Sequence, residues 1–344
     1  MESFVAAVPA PLVAPTLPRR PVLVTGATGF SGGHLVEALH RDGVPVRVLV
    51  RSTNRLSALP AGVEVVCGDL RAGDVRSRAV DGVSTVYHIA AAFREARLSE
   101  ADYRAINVDA TAALVEAAGQ LGVERFVHCS TCGVHGHVEQ SPANEDAPLR
   151  PGDVYQLSKL MGEQAVRDTA SLHRLELVIA RPTGIYGPGD RRMLKLFRSI
   201  ARGRFVMLGP GNVQYHLTYI DDIVSGLRLC GEHPHAAGRT YLLAGPAPVT
   251  IRELARTIAE VMHVSLPERR LPVAPVKLLA AACELVCRPL GIEPPLHRRR
   301  VDFFVKNRAF DGSRARAELG FISQIGVSEG LRRTFESYRA QGWL

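Results

Sequence analysis

Apolar and polar positions alternate in blocks along the first half of the chain. Val22, Leu23 and Val24 form a short apolar run that reads as the end of a buried strand, and Leu35, Val36, Ala38 and Leu39 recur after it at helical spacing. The same rhythm predicts strands at 21–25, 45–50, 84–89, 124–129 and 175–181, with a third strand before Gly68. Between them it predicts helices at 32–42, 72–80, 104–121 and 154–172. Strands that alternate with helices require right-handed crossovers, so the pattern gives an α/β domain with a doubly wound parallel sheet of the Rossmann kind.

After residue 182 the rhythm loosens, and Pro182, Pro188, Pro210, Pro234, Pro246 and Pro248 punctuate shorter elements. Residues 21–182 are therefore read as one lobe, and residues 183–344 as a smaller, interleaved C-terminal substrate lobe with a return to the first lobe near 215–232. Thr250 and Glu253 have the spacing of a capping box before a helix that runs through Met262. A second helix at 276–290 is unusually apolar. Residues 1–20 carry four prolines and end on Arg19 and Arg20, which reads as a disordered extension and not as a secretory leader.

Composition narrows the class. A chain of 344 residues suits about two lobes of the usual size. With 46% hydrophobic and 22% charged residues it reads as a soluble enzyme. The net charge of +8 comes from arginines scattered over many segments, without a nucleic-acid motif, so no nucleic-acid partner is expected. The apolar stretch 276–287 falls well short of the ~20 residues of a membrane span. Six cysteines are too sparse for a disulfide scaffold, which points to the reducing cytoplasm. Cys129 and Cys132 form a CxxC without a second ligand pair, and they read as small buried residues in a strand and the turn after it; no metal is expected.

Three constellations carry chemistry. Gly26, Gly29 and Gly32 follow the first strand and open the first helix, where glycine lets the backbone approach a pyrophosphate held at the positive helix end. Arg51 and Ser52 stand at the end of the second strand, where an acidic residue would bind a ribose 2'-hydroxyl; a guanidinium favours a 2'-phosphate, so NADP(H) is expected ahead of NAD(H). Asp69, in Gly68-Asp69-Leu70, is placed to meet the adenine amino group. Tyr155 and Lys159 lie four apart on one helix face, where the ammonium favours the phenolate. Thr131, at a strand end, adds a hydroxyl to this acid/base pair.

Together with "HIAAA" from His88, Asn107 and "RPTGIYGPGD" from Arg181, these residues resemble the extended short-chain dehydrogenase/reductases, the NAD-dependent epimerase/dehydratase family. The resemblance covers residues 21–340. It implies that Tyr155 transfers the proton, that Lys159 also binds the nicotinamide ribose, and that Thr131 aligns the substrate oxygen. It implies cofactor contacts from Gly26, Thr28, Gly29, Phe30 and Gly32, from Arg51, Asp69, Leu70, Ala90, Asn107 and Pro182, and from Tyr155 and Lys159. Substrate contacts are expected from Cys132, His135, Gly184, Tyr186 and Tyr215, with His137, His216 and Tyr219 as further rim or packing residues. A homodimer is the expected assembly, and Arg298 to Arg300, beside the apolar helix, allow a weak contact with a membrane surface.

Two departures bear on substrate class. Many nucleotide-sugar enzymes of the family have Asn where Gly184 stands and a pyrophosphate-binding Arg where Tyr215 stands. Neither substitute supplies the missing hydrogen bonds or charge. The apolar helix and the tail "KNRAFDGSRARAELGF" look like the branch of 3β-hydroxysteroid dehydrogenase-like and dihydroflavonol reductase-like enzymes. The expectation is therefore an oxidoreductase acting between NADP(H) and a hydroxyl or ketone carbon of a mostly apolar small molecule, with Leu278, Leu279, Ala282 and Leu285 covering it. A nucleotide-sugar epimerase or dehydratase and a non-catalytic sensor of NADP are the alternatives.

Overall fold

Short apolar runs bounded by turns make the strands, and their burial on both sides explains their composition. The structure is a computed structural model that describes residues 20–93, 98–287 and 298–344, with residues 298–300 described by their backbone alone. The N-terminal extension before Arg20, and the end of the 276–290 helix beyond Cys287, lie outside the described residues.

The first half of the chain supplies β1 (Val22–Thr25), β2 (Val46–Val50), β3 (Glu64–Cys67), β4 (Thr85–His88), β5 (Arg125–Cys129) and β6 (Glu176–Pro182). Its helices are α1 (Phe30–Arg41), α2 (Gly73–Val80), α3 (Glu100–Arg104), α4 (Ala110–Gln120) and α5 (Val154–His173). The second half supplies β7 (Gly184–Tyr186), α6 (Arg191–Ala201), β8 (Met207–Leu208), β9 (Gln214–Tyr215), β10 (Leu217–Tyr219) and α7 (Ile220–Glu232). These are followed by β11 (Thr240–Leu243), β12 (Val249–Thr250), α8 (Ile251–Val261), β13 (Arg270–Leu271), α9 (Val273–Cys287), α10 (Arg298–Val305), α11 (Ser313–Leu319) and α12 (Val327–Ala340).

Seven strands form one parallel sheet in the order β11-β6-β5-β4-β1-β2-β3. This is a doubly wound Rossmann sheet. Strand order reverses between β1 and β4, and the crevice outside the carboxyl ends of the strands there is where such sheets hold ligands. Leu23, Val86, Phe126 and Ile179 pack against α2, α4 and α5 on one face. On the other face Val24, Tyr87, Val127 and Val178 pack against α1 and α7 through Leu35, Val36, Ile223 and Leu227.

Helix α7 packs on the sheet beside α1, and β11 joins the sheet edge beside β6, a strand the hydrophobic pattern did not reveal. The third helix begins earlier than residue 104. Ser99 caps it with a full capping box to Asp102, and a π-turn over Ala105–Asp109 joins α3 to α4. The Thr250–Glu253 capping box opens α8. Helix α9 starts at Val273, three residues ahead of expectation. Its Leu278, Leu279 and Leu285 are 74%, 58% and 77% exposed, so Leu278 and Leu279 face outward and only Ala281 and Leu285 of its apolar side chains reach the cleft described next.

Candidate active site

A cleft of about 2710 Å³ opens at the carboxyl ends of β1, β4, β5 and β6 and is closed on its far side by α6, α9, α10 and the C-terminus. Its floor is the glycine turn. Gly26 has φ +72°, and a Cβ there would meet the Ala90 nitrogen at 2.8 Å; a Cβ on Gly32 would sit 2.2 Å from the Gly26 carbonyl oxygen. The turn therefore admits only glycine at both places. Helix α1 starts at Phe30, without a side-chain cap on Gly29 and without an acidic residue in its first turn. Its first N–H groups and the positive end of its dipole face the cleft uncompensated, which is the donor set a pyrophosphate requires. Gly26, Thr28, Gly29, Phe30 and Gly32 all line this end of the cleft.

The wall behind the turn is fixed by hydrogen bonds. Thr25 Oγ1 accepts from the backbone N–H groups of Ile89 and Ala90 and pairs with His88 Nδ1 at 2.8 Å, while His88 Nε2 meets Thr111 Oγ1 at 3.0 Å. Burial holds His88 neutral, with its pKa pulled down to about 3. Arg51, Arg55, Asp69, Leu70, Arg71 and Ala90 line the adjoining stretch. Arg71 grips Asp69 through Nε and Nη2, at 3.0 and 2.6 Å, and this pairing lowers the carboxyl to about 2. The residues present thus fit a dinucleotide: a glycine cradle, a free helix end and cations beside the second strand.

Thr131, Tyr155 and Pro182 line the middle of the cleft. Thr131 ends the β5 segment and caps a short 3₁₀ turn, its Oγ1 accepting from Gly133 N at 3.0 Å; a hydroxyl that accepts one bond can still donate another. Tyr155 sits in the first turn of α5, with the Phe93 ring edge-on at 4.7 Å. Lys159, one turn further, is only 1% exposed and lies behind the cleft wall, where burial lowers its pKa to about 8 and its Nζ is 3.3 Å from His128 Nε2.

Asn107 does not face the cleft. It is buried in the π-turn, where its Oδ1 accepts from Ala92 N at 2.7 Å and its Nδ2 donates to the Ala92 carbonyl and to Ser158 Oγ. It ties the loop after β4 to α5. His135 is likewise buried below the surface, 3.2 Å from Arg181, and burial and that charge lower its pKa to about 4, so it is neutral above that pH. His137 accepts from Asn307 N and joins two loops. Tyr186 is fully buried, its ring packed on Tyr219 and its hydroxyl directed to the Val327 carbonyl, so it belongs to the core beneath α12 and not to the substrate wall.

Cys132, Gly184, Tyr215 and His216 do line the cleft. Gly184 and Tyr215 form one feature: a Cβ on Gly184 would lie 2.9 Å from Tyr215 Oη, so the tyrosine occupies the space a side chain at 184 would need. Arg308 lies over the Tyr215 ring, 5.9 Å from its centre, and returns a positive charge to that neighbourhood. Arg191, Arg192, Lys195, Lys277, Lys306 and Arg308 all reach the cleft, a basic lining that the hydrophobic pattern did not disclose. The thiols of Cys129 and Cys132 are buried and free, pushed up to about 11 and about 12 by desolvation.

A buried ion pair holds these pieces in register. Glu163 on α5 and Arg181 on β6 are 3% and 4% exposed and pair at 2.6 Å, with Ser130 Oγ donating to the same carboxylate. Arg181 also donates to the Glu145 carbonyl at 3.0 Å. One network thereby joins the helix of Tyr155 and Lys159 to the residue before Thr131.

The glycine cradle, the helix end and the Tyr155–Lys159 face define a dinucleotide-dependent enzyme of the short-chain dehydrogenase/reductase class. Over residues 22–244 the chain matches the NAD dependent epimerase/dehydratase family, and it belongs to that family. It is 30% identical, over 92% of its length and 90% of the relative's, to a 3 beta-hydroxysteroid dehydrogenase/Delta 5→4-isomerase of Mycobacterium tuberculosis. It is 29% identical, over 92% and 79%, to a 3beta-hydroxysteroid-dehydrogenase/decarboxylase of Arabidopsis thaliana. Among solved structures it resembles MoeE5 in complex with UDP-glucuronic acid and NAD, with a TM-score of 0.74 and 27% identity over 93% of this chain and 99% of that one.

Replacing Glu163 by Gln leaves the Arg181 guanidinium buried without its counter-charge, and unfolding free energy is expected to fall by about 3–5 kcal/mol. Urea denaturation of the E163Q variant measures this; a loss under about 1 kcal/mol contradicts the assigned brace.

Proposed function

We propose that this protein is an oxidoreductase that transfers a hydride between NADP(H) and the hydroxyl or ketone carbon of a mostly apolar small molecule of steroid- or flavonoid-like class. The observation that carries the reading is that Thr131 and Tyr155 line the same cleft as the glycine cradle, with Lys159 buried one helical turn from Tyr155. The dinucleotide, when bound, supplies or takes up the hydride. Tyr155 gives its proton to the developing alkoxide in reduction and takes it back in oxidation. Thr131 orients the substrate oxygen through its hydroxyl. Lys159, whose pKa of about 8 leaves it mostly charged at pH 7, stabilises the phenolate that Tyr155 becomes. Hydroxysteroid dehydrogenases among the relatives support the substrate class.

NADP preference is supported by Arg51 and Arg55, which are exposed at the cleft beside β2 and make no salt bridge among the described residues. Division of labour at residue 182, a homodimeric assembly and a cytoplasmic location belong to the same reading. A weak membrane-surface contact is supported by the outward Leu278 and Leu279 of α9. The second reading, a nucleotide-sugar epimerase or dehydratase, is favoured by the basic cleft lining and by the likeness to MoeE5. Tyr215 closing over Gly184 weighs against it. The intact Thr131, Tyr155 and Lys159 set weighs against a sensor without turnover.

Phe at Tyr155 keeps the ring and removes the transferable proton. Turnover of a hydroxysteroid and flavonoid panel by Y155F should fall by about 10²-fold or more in kcat while dinucleotide affinity changes little; full turnover in that variant overturns the acid/base assignment. For the cofactor, titration calorimetry is expected to give a lower Kd for NADP than for NAD, with the gap narrowed in R51D. Equal affinities in the unmutated protein remove the preference.

A further inference from the structure

Lys159 carries three N–H donors into a place that is 1% exposed, and a buried ammonium needs acceptors. Next to it, from the middle of the adjacent strand β5, stands His128, fully buried, with Nε2 3.3 Å from Lys159 Nζ. An ammonium cannot accept a hydrogen bond, so a charged lysine makes Nε2 the acceptor and puts the ring proton on Nδ1. That Nδ1 has no hydrogen-bond partner among the described residues, an arrangement a core histidine would not adopt for its own stability. The ring plane is held from behind by His88, stacked at 5.7 Å and 23°, which is itself fixed through both nitrogens by Thr25 and Thr111.

We propose that His128 is a positioning residue for Lys159: as a neutral acceptor it holds the lysine ammonium in place behind the cleft wall and keeps it charged beside Tyr155. This rests on the oxidoreductase reading above for the role of Tyr155. Physical support comes from the other groups around the lysine. Cys129 of the same strand has its thiol pushed up to about 11, His88 of β4 is neutral above about pH 3, and His128 itself stays neutral because burial and the charges of Lys159 and Arg167 hold it well below its usual value. Glu163, one turn along α5, is tied to Arg181 and Ser130. Of these groups, Lys159 is therefore the one that changes charge between about pH 6 and 10.

Removing the acceptor makes the charged lysine less favourable, so its pKa drops further, the phenolate of Tyr155 loses support, and the tyrosine pKa rises. In the oxidising direction, where Tyr155 must be ionised, the rising limb of kcat/KM against pH is expected to move up by about one pH unit in H128L, with about a tenfold loss below that limb. H128Q, which returns an acceptor oxygen near the place of Nε2, is expected to restore most of the profile. A loss of rate at all pH values with an unmoved limb is what a purely structural role would give, and it overturns the proposal, as does a profile identical to that of the unmutated protein.

A second measurement needs neither a stable variant nor turnover. Nitrogen NMR of the full-length protein labelled at histidine is expected to give His128 a proton-bearing Nδ1 and a bare Nε2 at pH 6–7, where Lys159 is charged. A proton on Nε2 in that range overturns the inference whatever the enzyme's substrate, whereas failure of every candidate alcohol to turn over would count against the oxidoreductase reading alone.

Discussion

The pairing of Glu163 with Arg181 is the contact on which the geometry of the cleft depends. It joins α5 to β6 in the sheet interior, and through Ser130 it reaches the end of β5. Helix α5 could slide along an apolar sheet face with little change in buried area. A charged pair removed from water tolerates no such slip, because either partner left alone would be far more costly than the pair is favourable. Tyr155 and Thr131 come from elements that only tertiary packing brings together, and the brace sets their relative position. Asn107 adds a second tie from the opposite side, fastening Ala92 and Ser158 to the π-turn.

The sheet was legible because parallel strands covered on both faces are rich in apolar residues, and β1, β2, β4, β5 and β6 each carry a local apolar cluster. The glycine turn was legible for a related reason: the close approach of Gly32 to the Gly26 carbonyl leaves a spacing that no other residue can fill. What stayed hidden depends on contacts between distant residues. β11 is four residues long and sits among prolines, and it becomes a strand because β6 offers it an edge. Tyr186 looked available to a substrate, yet Gly330 of α12 leaves just enough room for its ring to be sealed inside the core. His128, a polar residue within the apolar run of β5, gave no local sign of the lysine it touches.

The substrate side of the cleft departs most from its sequence reading. Helix α9 turns Leu278 and Leu279 away from the cleft, while α6 and the segment after α10 turn arginines and lysines into it. Arg308 over Tyr215 shows how a charge absent at one sequence position returns from another nearly a hundred residues later. Hydrophobic periodicity identifies which face of a helix is apolar, not which neighbour it faces. Phe30 and Phe205 therefore line the cleft together with basic side chains.

In the proposed reaction the hydride leaves the enzyme on the product. Incubation with a panel of hydroxy and keto steroids, flavonoids and UDP-sugars, using a reduced dinucleotide deuterated at the transferred position, tests this directly by mass spectrometry. One deuterium at the new carbinol carbon for each dinucleotide oxidised is the result predicted. An unlabelled isomer of a UDP-sugar, formed without net oxidation of the dinucleotide, would contradict it.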